Sequence, residues 1–293
     1  MRVVGLGGGH GLAATLQAAL TYADDVSAVV TVADDGGSSG RLTRELGIPP
    51  PGDIRNCLVA LSDDPDLSAL YQHRFVTGAL TGHTAGNLLI AALTEMRGDF
   101  AAAVAEAGKL LRCRGKVYPA TTEIVELGAH VRGGRLQGQV AVQQTSAPIQ
   151  AVFLTPPNPA AHSKAIGAIK NADHVVLGPG SLFTSLIATL LVPGIQTAVK
   201  ETSGRRIYVL NSRAQKGETE GLDATAHVEA ILSYAGAFSL DTVVVQEPVI
   251  PGDGILVDRR ALEQTGVAVV AADIAHPNGG HDSDRLGAVL ASI

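Results

Sequence analysis

The chain has 293 residues, 46% hydrophobic and only 17% charged, so it can bury a large core and is not a disordered polymer. With 22 Lys+Arg against 28 Asp+Glu the net charge is -6, and there is no Trp, which argues against nucleic-acid backbones and single-strand stacking as partners. Cys57 and Cys113 cannot build a disulfide framework, and no apolar run approaches the ~18 residues of a membrane span. A cytoplasmic protein that inserts into no membrane is therefore expected, and the N-terminus carries no basic leader pattern.

The first strand is expected over Arg2 to Leu6, followed by a helix from Leu12 to Tyr22. Between them Gly5-Leu6-Gly7-Gly8-Gly9-His10-Gly11 would let bare backbone N–H groups and a helix N-terminus face a phosphate. His10 occupies the third glycine position of a dinucleotide fingerprint, which weighs against an NAD-linked oxidoreductase. A tight turn without ligand is the plainer alternative.

A second strand over Ser27 to Ala33 ends in Asp34-Asp35-Gly36-Gly37-Ser38-Ser39-Gly40-Arg41. Ligand crevices of open α/β sheets lie at such strand ends. Asp34 and Asp35 are suited to Mg²⁺ or a ribose hydroxyl, and Ser38, Ser39 and Arg41 to phosphate oxygens. After Pro49-Pro50-Pro51-Gly52, Asp53 is placed either to cap a helix beginning near Ile54 or, with Arg55 and Asn56, to face the same crevice.

The stretch 65–157 reads as a helical and β-hairpin insertion within one α/β domain spanning 1–293. Thr84 is a natural N-cap for a helix from Ala85 to Met96, and His83 and Asn87, four residues apart, share a face. Glu123 to Arg132 and Arg135 to Gln143 alternate around Gly133-Gly134, a hairpin signal.

The second half resumes helix and strand alternation: a helix from Ala160 to Ala172, strands His174 to Gly178, Arg206 to Asn211, Asp241 to Gln246 and Val267 to Ala272, and helices Leu182 to Leu191 and Ala224 to Ala235. Continuous apolar strands imply a sheet covered on both faces. Gly178-Pro179-Gly180-Ser181 repeats the strand–turn–helix device and suggests a second anion site, so that the two together would hold a diphosphate. Asn211, at another strand end, is suited to a base or sugar edge. The cluster from His276 to Arg285 resembles a metal site, yet Asp282 or Ser283 more simply caps a terminal helix.

Taken in order, Gly7 to Gly11, Thr31 to Leu42, Pro49 to Asn56, Gly82-His83 with Gly86-Asn87-Leu88, and Gly178 to Leu182 make the chain similar to the YvcK-like gluconeogenesis factors of the CofD-like superfamily. The resemblance spans nearly the whole chain. It implies a Rossmann-like three-layer α/β/α sandwich with a parallel sheet, which binds UDP-sugars, notably UDP-N-acetylglucosamine. It also implies a role in cell shape and peptidoglycan synthesis during gluconeogenic growth, through a cell-wall or morphogenesis protein partner. No cofactor is required by it, Mg²⁺ is optional, and homo-oligomerisation stays open. The terminal arginine of the family pattern corresponds to Arg285, whereas the segment from Gln246 to Val257 is short and lacks the family's aromatic contact. The other reading is a Mg²⁺-dependent transferase similar to the superfamily's 2-phospho-L-lactate transferases.

Overall fold

Val3 to Gly7 are buried in unbroken succession, as are His174 to Leu177 and Thr242 to Gln246, a pattern that only a sheet covered on both faces accommodates. The computed structural model, which describes residues 1–234 and 238–293, places these runs in a seven-stranded sheet. Its members are β1 (Arg2–Gly7), β2 (Asp25–Val30), β3 (Lys116–Pro119), β7 (His174–Leu177), β8 (Arg205–Val209), β9 (Thr242–Gln246) and β10 (Ala268–Ala272). They lie in the order β10-β9-β8-β7-β1-β2-β3, and every neighbouring pair is parallel.

Parallel strands need crossovers, and right-handed crossovers leading in opposite directions from β1 and β7 put their helices on opposite faces. On one side α1 (Gly9–Ala19) packs against α3 (Gly52–Ala60) and the last helix, α13 (Ser283–Ser292). The other group contains α8 (Ser163–Lys170), α9 (Leu182–Leu190), α10 (Pro193–Glu201), α11 (Ala224–Tyr234) and α12 (Arg259–Gln264). The first residues of α9, Leu182–Ile187, are wound as a π-helix. Ala235, expected to end α11, lies outside the described residues. No single helix among the described residues is long and apolar enough to cross a membrane.

Between β2 and β7 lie α2 (Gly37–Leu46), α4 (Pro65–Gln72), α5 (Ala85–Arg97) and α6 (Phe100–Leu110), and a small antiparallel sheet of β4 (Glu126–Val131), β5 (Gly134–Gln137) and β6 (Ile149–Thr155) in the order β5-β4-β6. The stretch 65–157 thus contains the expected helices and hairpin and also lends β3 to the edge of the main sheet. The hairpin differs in detail. Val131 pairs with Gly134, so the turn is Arg132-Gly133, and the second strand stops at Gln137. Gly138, at φ +96°, breaks the strand, and the next five residues form a short helix, α7 (Gln139–Gln143), that buries Val142. Alternation of Val140 and Val142 with glutamines imitates a strand pattern over so few residues.

Candidate functional site

The strand order reverses at β1. From it the chain runs outward through β2 and β3, then re-enters beside β1 as β7 and runs outward the other way. The turns after β1 and β7 therefore diverge and leave a crevice at the carboxyl ends of the strands. Gly7 and Gly9 take φ +143° and +67°, and Gly178 and Gly180 take +71° and +154°. A Cβ at Gly11 would collide with the Pro179 carbonyl, so the two turns touch. Hydroxyls tie each turn to the other's helix: Thr15 of α1 donates to the Gly178 carbonyl at 2.7 Å, and Thr189 of α9 to that of Gly7 at 3.4 Å.

A cavity of about 460 Å³ opens there. Its lining comes from Gly8, Gly9, His10 and Gly11 of the first turn, from Asp34 and Asp53, from Ser181, Thr184 and Ser185 at the start of α9, and from Gln139, Val140 and Gln143 of α7. Two acids of this lining, Asp34 and Asp53, lie close enough to interact. Burial, reinforced by the Asp34 charge, raises the Asp53 carboxyl to about 7, although the Gly9 N–H bonded to it and Arg55 pull the other way. Asp34 is also raised, chiefly by burial, against hydrogen bonds from the Gly36 N–H and Ser39. Asp53 is thus not the cap of α3: the N-cap position falls at Pro51, and the carboxylate points to the N-terminus of α1.

Asp34 and Asp35 do not act as a pair. Asp34 Oδ1 accepts the Gly36 N–H at 2.9 Å and lies beside Asp53, whereas Asp35 Oδ1 accepts the Val140 N–H of α7 at 3.0 Å. One carboxylate therefore lines the cavity, and the other is tied to the α7 backbone that forms part of its wall. Among the described residues no group of three or more His, Cys, Asp or Glu is arranged around a metal. Mg²⁺ nonetheless needs only one or two carboxylates when phosphates and water complete its shell, and Asp34 with Asp53 meets that requirement.

Several expected contact residues stand behind the cavity and fix its walls. Ser38, His83, Asn87, Thr84 and Arg55 are buried together. Ser38 Oγ is 2.9 Å from His83 Nδ1 and accepts from Asn87 Nδ2 at 3.1 Å, while Arg55 donates to Thr84 Oγ1, Asn87 Oδ1 and Asn56 Oδ1. Ser39 Oγ accepts the Gly52 N–H at 3.1 Å. Both serines are thereby committed to the protein itself. Arg41 reaches outward to the Thr81 carbonyl at 2.7 Å. Asn211 clamps the second turn from both sides, its Oδ1 accepting the Gly180 N–H at 3.0 Å and its Nδ2 donating to the Gly180 carbonyl at 2.7 Å. Arg285 pairs with Asp273 at 2.5 Å, and Asp282 caps α13 through the N–H groups of Asp284 and Arg285.

The second anion site is corrected by Glu218. This buried carboxylate accepts the N–H groups of Phe183 and Thr184 at 2.7 and 2.9 Å, filling the position at the start of α9 where a phosphate was expected. Ser181 and Gly180 still border the cavity, with Ser181 Oγ accepting from Gln215 Nε2 at 3.2 Å. Glu218 and the α7 glutamines escaped the sequence reading. The polar loop Gln215 to Gly221 signalled the first, but the strand-like alternation hid the second.

A family model described as 2-phospho-L-lactate transferase CofD matches residues 3–275. The chain belongs to the CofD family. Within it, this CofD-family chain is 42% identical to the gluconeogenesis factor of Halalkalibacterium halodurans over 283 residues, covering 92% of this chain and 88% of that protein. It is 45% identical to the gluconeogenesis factor of Bacillus subtilis over 250 residues, covering 84% and 79% respectively. A crystal structure of a UPF0052-family protein from Bacillus halodurans superposes with a TM-score of 0.95 at 39% identity, covering 99% of this chain and 98% of that one. The parallel α/β sandwich and the gluconeogenesis-factor branch of the CofD-like superfamily are therefore established for this chain.

Proposed function

We propose that this chain is a cytoplasmic regulatory protein that binds a UDP-sugar, UDP-N-acetylglucosamine, in the cavity between the β1 and β7 turns. The observation that carries this is the facing pair of glycine turns at the reversal of strand order, with the N-terminus of α1 opening into a cavity of about 460 Å³. Backbone N–H groups of Gly8, His10 and Gly11 at the start of α1 would supply donors to a diphosphate, the Gly9 N–H being taken by Asp53. The opposing carboxylates would repel that diphosphate unless protonated or bridged. Asp34 and Asp53 would therefore hold Mg²⁺ when it binds, and the ion would neutralise charge between the acids and the phosphates. Ligand binding would shift the population of conformers that meet a cell-wall or morphogenesis protein, linking nucleotide-sugar supply to cell shape during gluconeogenic growth. Homo-oligomerisation is compatible with that role.

A transferase is the second reading, favoured by one observation: an Asp held at about 7 beside a helix N-terminus is poised to exchange a proton near neutrality. Incubation with UDP-N-acetylglucosamine and Mg²⁺, and separately with a phospholactate joined to a nucleoside monophosphate plus a deazaflavin alcohol, decides between them. Binding of an intact UDP-sugar supports the regulator. Protein-dependent transfer to the alcohol, abolished by Asp53→Asn, supports the enzyme.

A further inference from the structure

We propose that Gln139 and Gln143 select the sugar of the bound nucleotide and that Asp35 is the positioning residue that holds them to it, an assignment that rests on nucleotide-sugar binding as proposed above. Both glutamines border the same cavity as the glycine turn, on α7, whose Val140 lies beside Gly36 of the strand-end loop. They stand four residues apart on one face of the helix and bond each other, Gln139 Nε2 donating to Gln143 Oε1 at 3.3 Å. A bond of that length between partly exposed amides is readily exchanged for a ligand. The remaining carboxamide of the cavity, Gln215, is engaged on both sides, donating to Ser181 and accepting from Asn211 Nδ2 at 3.2 Å.

Chemistry assigns the walls. A diphosphate gains most from backbone N–H groups at the α1 terminus, whereas a carboxamide, donor and acceptor at once, matches hydroxyl and acetamido groups that are donor and acceptor too. The α7 wall therefore faces the uncharged, hydroxyl-rich part of the ligand.

Five residues are too few to form a stable helix alone. What holds α7 is the buried Val142, the Asp35 carboxylate on the Val140 N–H at 3.0 Å, and Gly138, whose missing Cβ lets the same carboxylate sit against the backbone. From the other side Gly217 abuts the Gln143 carbonyl, where a Cβ would come within 2.6 Å. Asp35 thus sets the distance of both amides from the ligand without touching it.

Titration calorimetry with UDP-N-acetylglucosamine and with UDP tests this on the full chain. The double variant Gln139→Ala/Gln143→Ala should lose about ten-fold or more in affinity for the UDP-sugar and less than about two-fold for UDP. Asp35→Ala should show the same selective loss, and Asp35→Asn, whose amide oxygen still accepts the Val140 N–H, should recover most of it. Equal losses on the two ligands, or no loss on the UDP-sugar, overturn the assignment. Should the unaltered protein bind neither ligand, nucleotide-sugar binding fails and the sugar role falls with it. Hydrogen exchange decides the Asp35 part separately: the Val140 amide of Asp35→Ala should exchange about ten-fold faster or more, and an unchanged rate contradicts it.

Discussion

The carboxylate of Glu218 accepts the main-chain N–H of Phe183 at 2.7 Å, so the protein supplies its own anion at the start of α9. Thr184 donates to the same oxygen from its N–H at 2.9 Å. Glu218→Ala would leave both buried N–H groups without a partner and should cost about 1–3 kcal/mol in urea unfolding. Glu218→Gln, which keeps an acceptor, should cost less. Equal costs would show that the carboxylate's volume matters more than its hydrogen bonds.

Gly11 and Gly167 make a matched pair of glycine substitutions. At Gly11 an added Cβ meets the Pro179 carbonyl, a backbone group that cannot swing away. Gly11→Ala should therefore cost about 1–3 kcal/mol and weaken ligand binding by parting the two turns. Nothing lies within 4 Å of a Cβ at Gly167 in α8. There the alanine should gain up to about 1 kcal/mol through helix propensity, and thermal unfolding of the two variants should show opposite shifts.

Asp53 makes stability depend on pH with a definite sign. Its folded-state pKa is raised to about 7 from an ordinary 3.8, so the folded protein binds more protons than the unfolded chain between those values. The contribution is fully present below about 4 and is lost as pH rises toward about 7. Asp34, raised in the same direction, adds to the slope. Asp53→Asn should flatten the midpoint-versus-pH curve over that window. Mg²⁺ should stabilise the unaltered protein more at pH 8 than at pH 5.

Arg55 joins α3 to α5 by a planar fork, donating to Thr84 Oγ1 at 2.7 Å, Asn87 Oδ1 at 3.1 Å and Asn56 Oδ1 at 2.6 Å. Lysine keeps the charge but cannot reproduce that fork. Arg55→Lys should lose about 1.5–3 kcal/mol of stability, measured by chemical denaturation. A loss as small as that of an exposed Arg→Lys control would contradict the role of the network.

The parallel sheet was legible because β7 and β9 carry the unbroken apolar runs Val175–Leu177 and Val243–Val245, and the first glycine turn because Gly7 to Gly11 follows such a strand directly. Chemistry at the strand ends was visible only as residue type. Which member of Asp34-Asp35 enters the cavity depends on Gly52 and Val140, distant in sequence. Ser38 and His83, 45 positions apart, meet only once α2 and α5 have packed. Glu218 was hidden for the same reason, since its partners lie 35 and 34 positions earlier.

A thermal-shift titration against UDP-N-acetylglucosamine, UDP-glucose, GDP and NAD, each with and without Mg²⁺, tests nucleotide-sugar binding most directly. At 100 times Kd a ligand adds about 2.7 kcal/mol, which raises the Tm of a chain this long by roughly 4 to 5 °C. The expected result is a shift with the UDP-sugars, larger for UDP-N-acetylglucosamine and lost in Gly11→Ala. A shift with GDP alone, or none with either UDP-sugar, would contradict it.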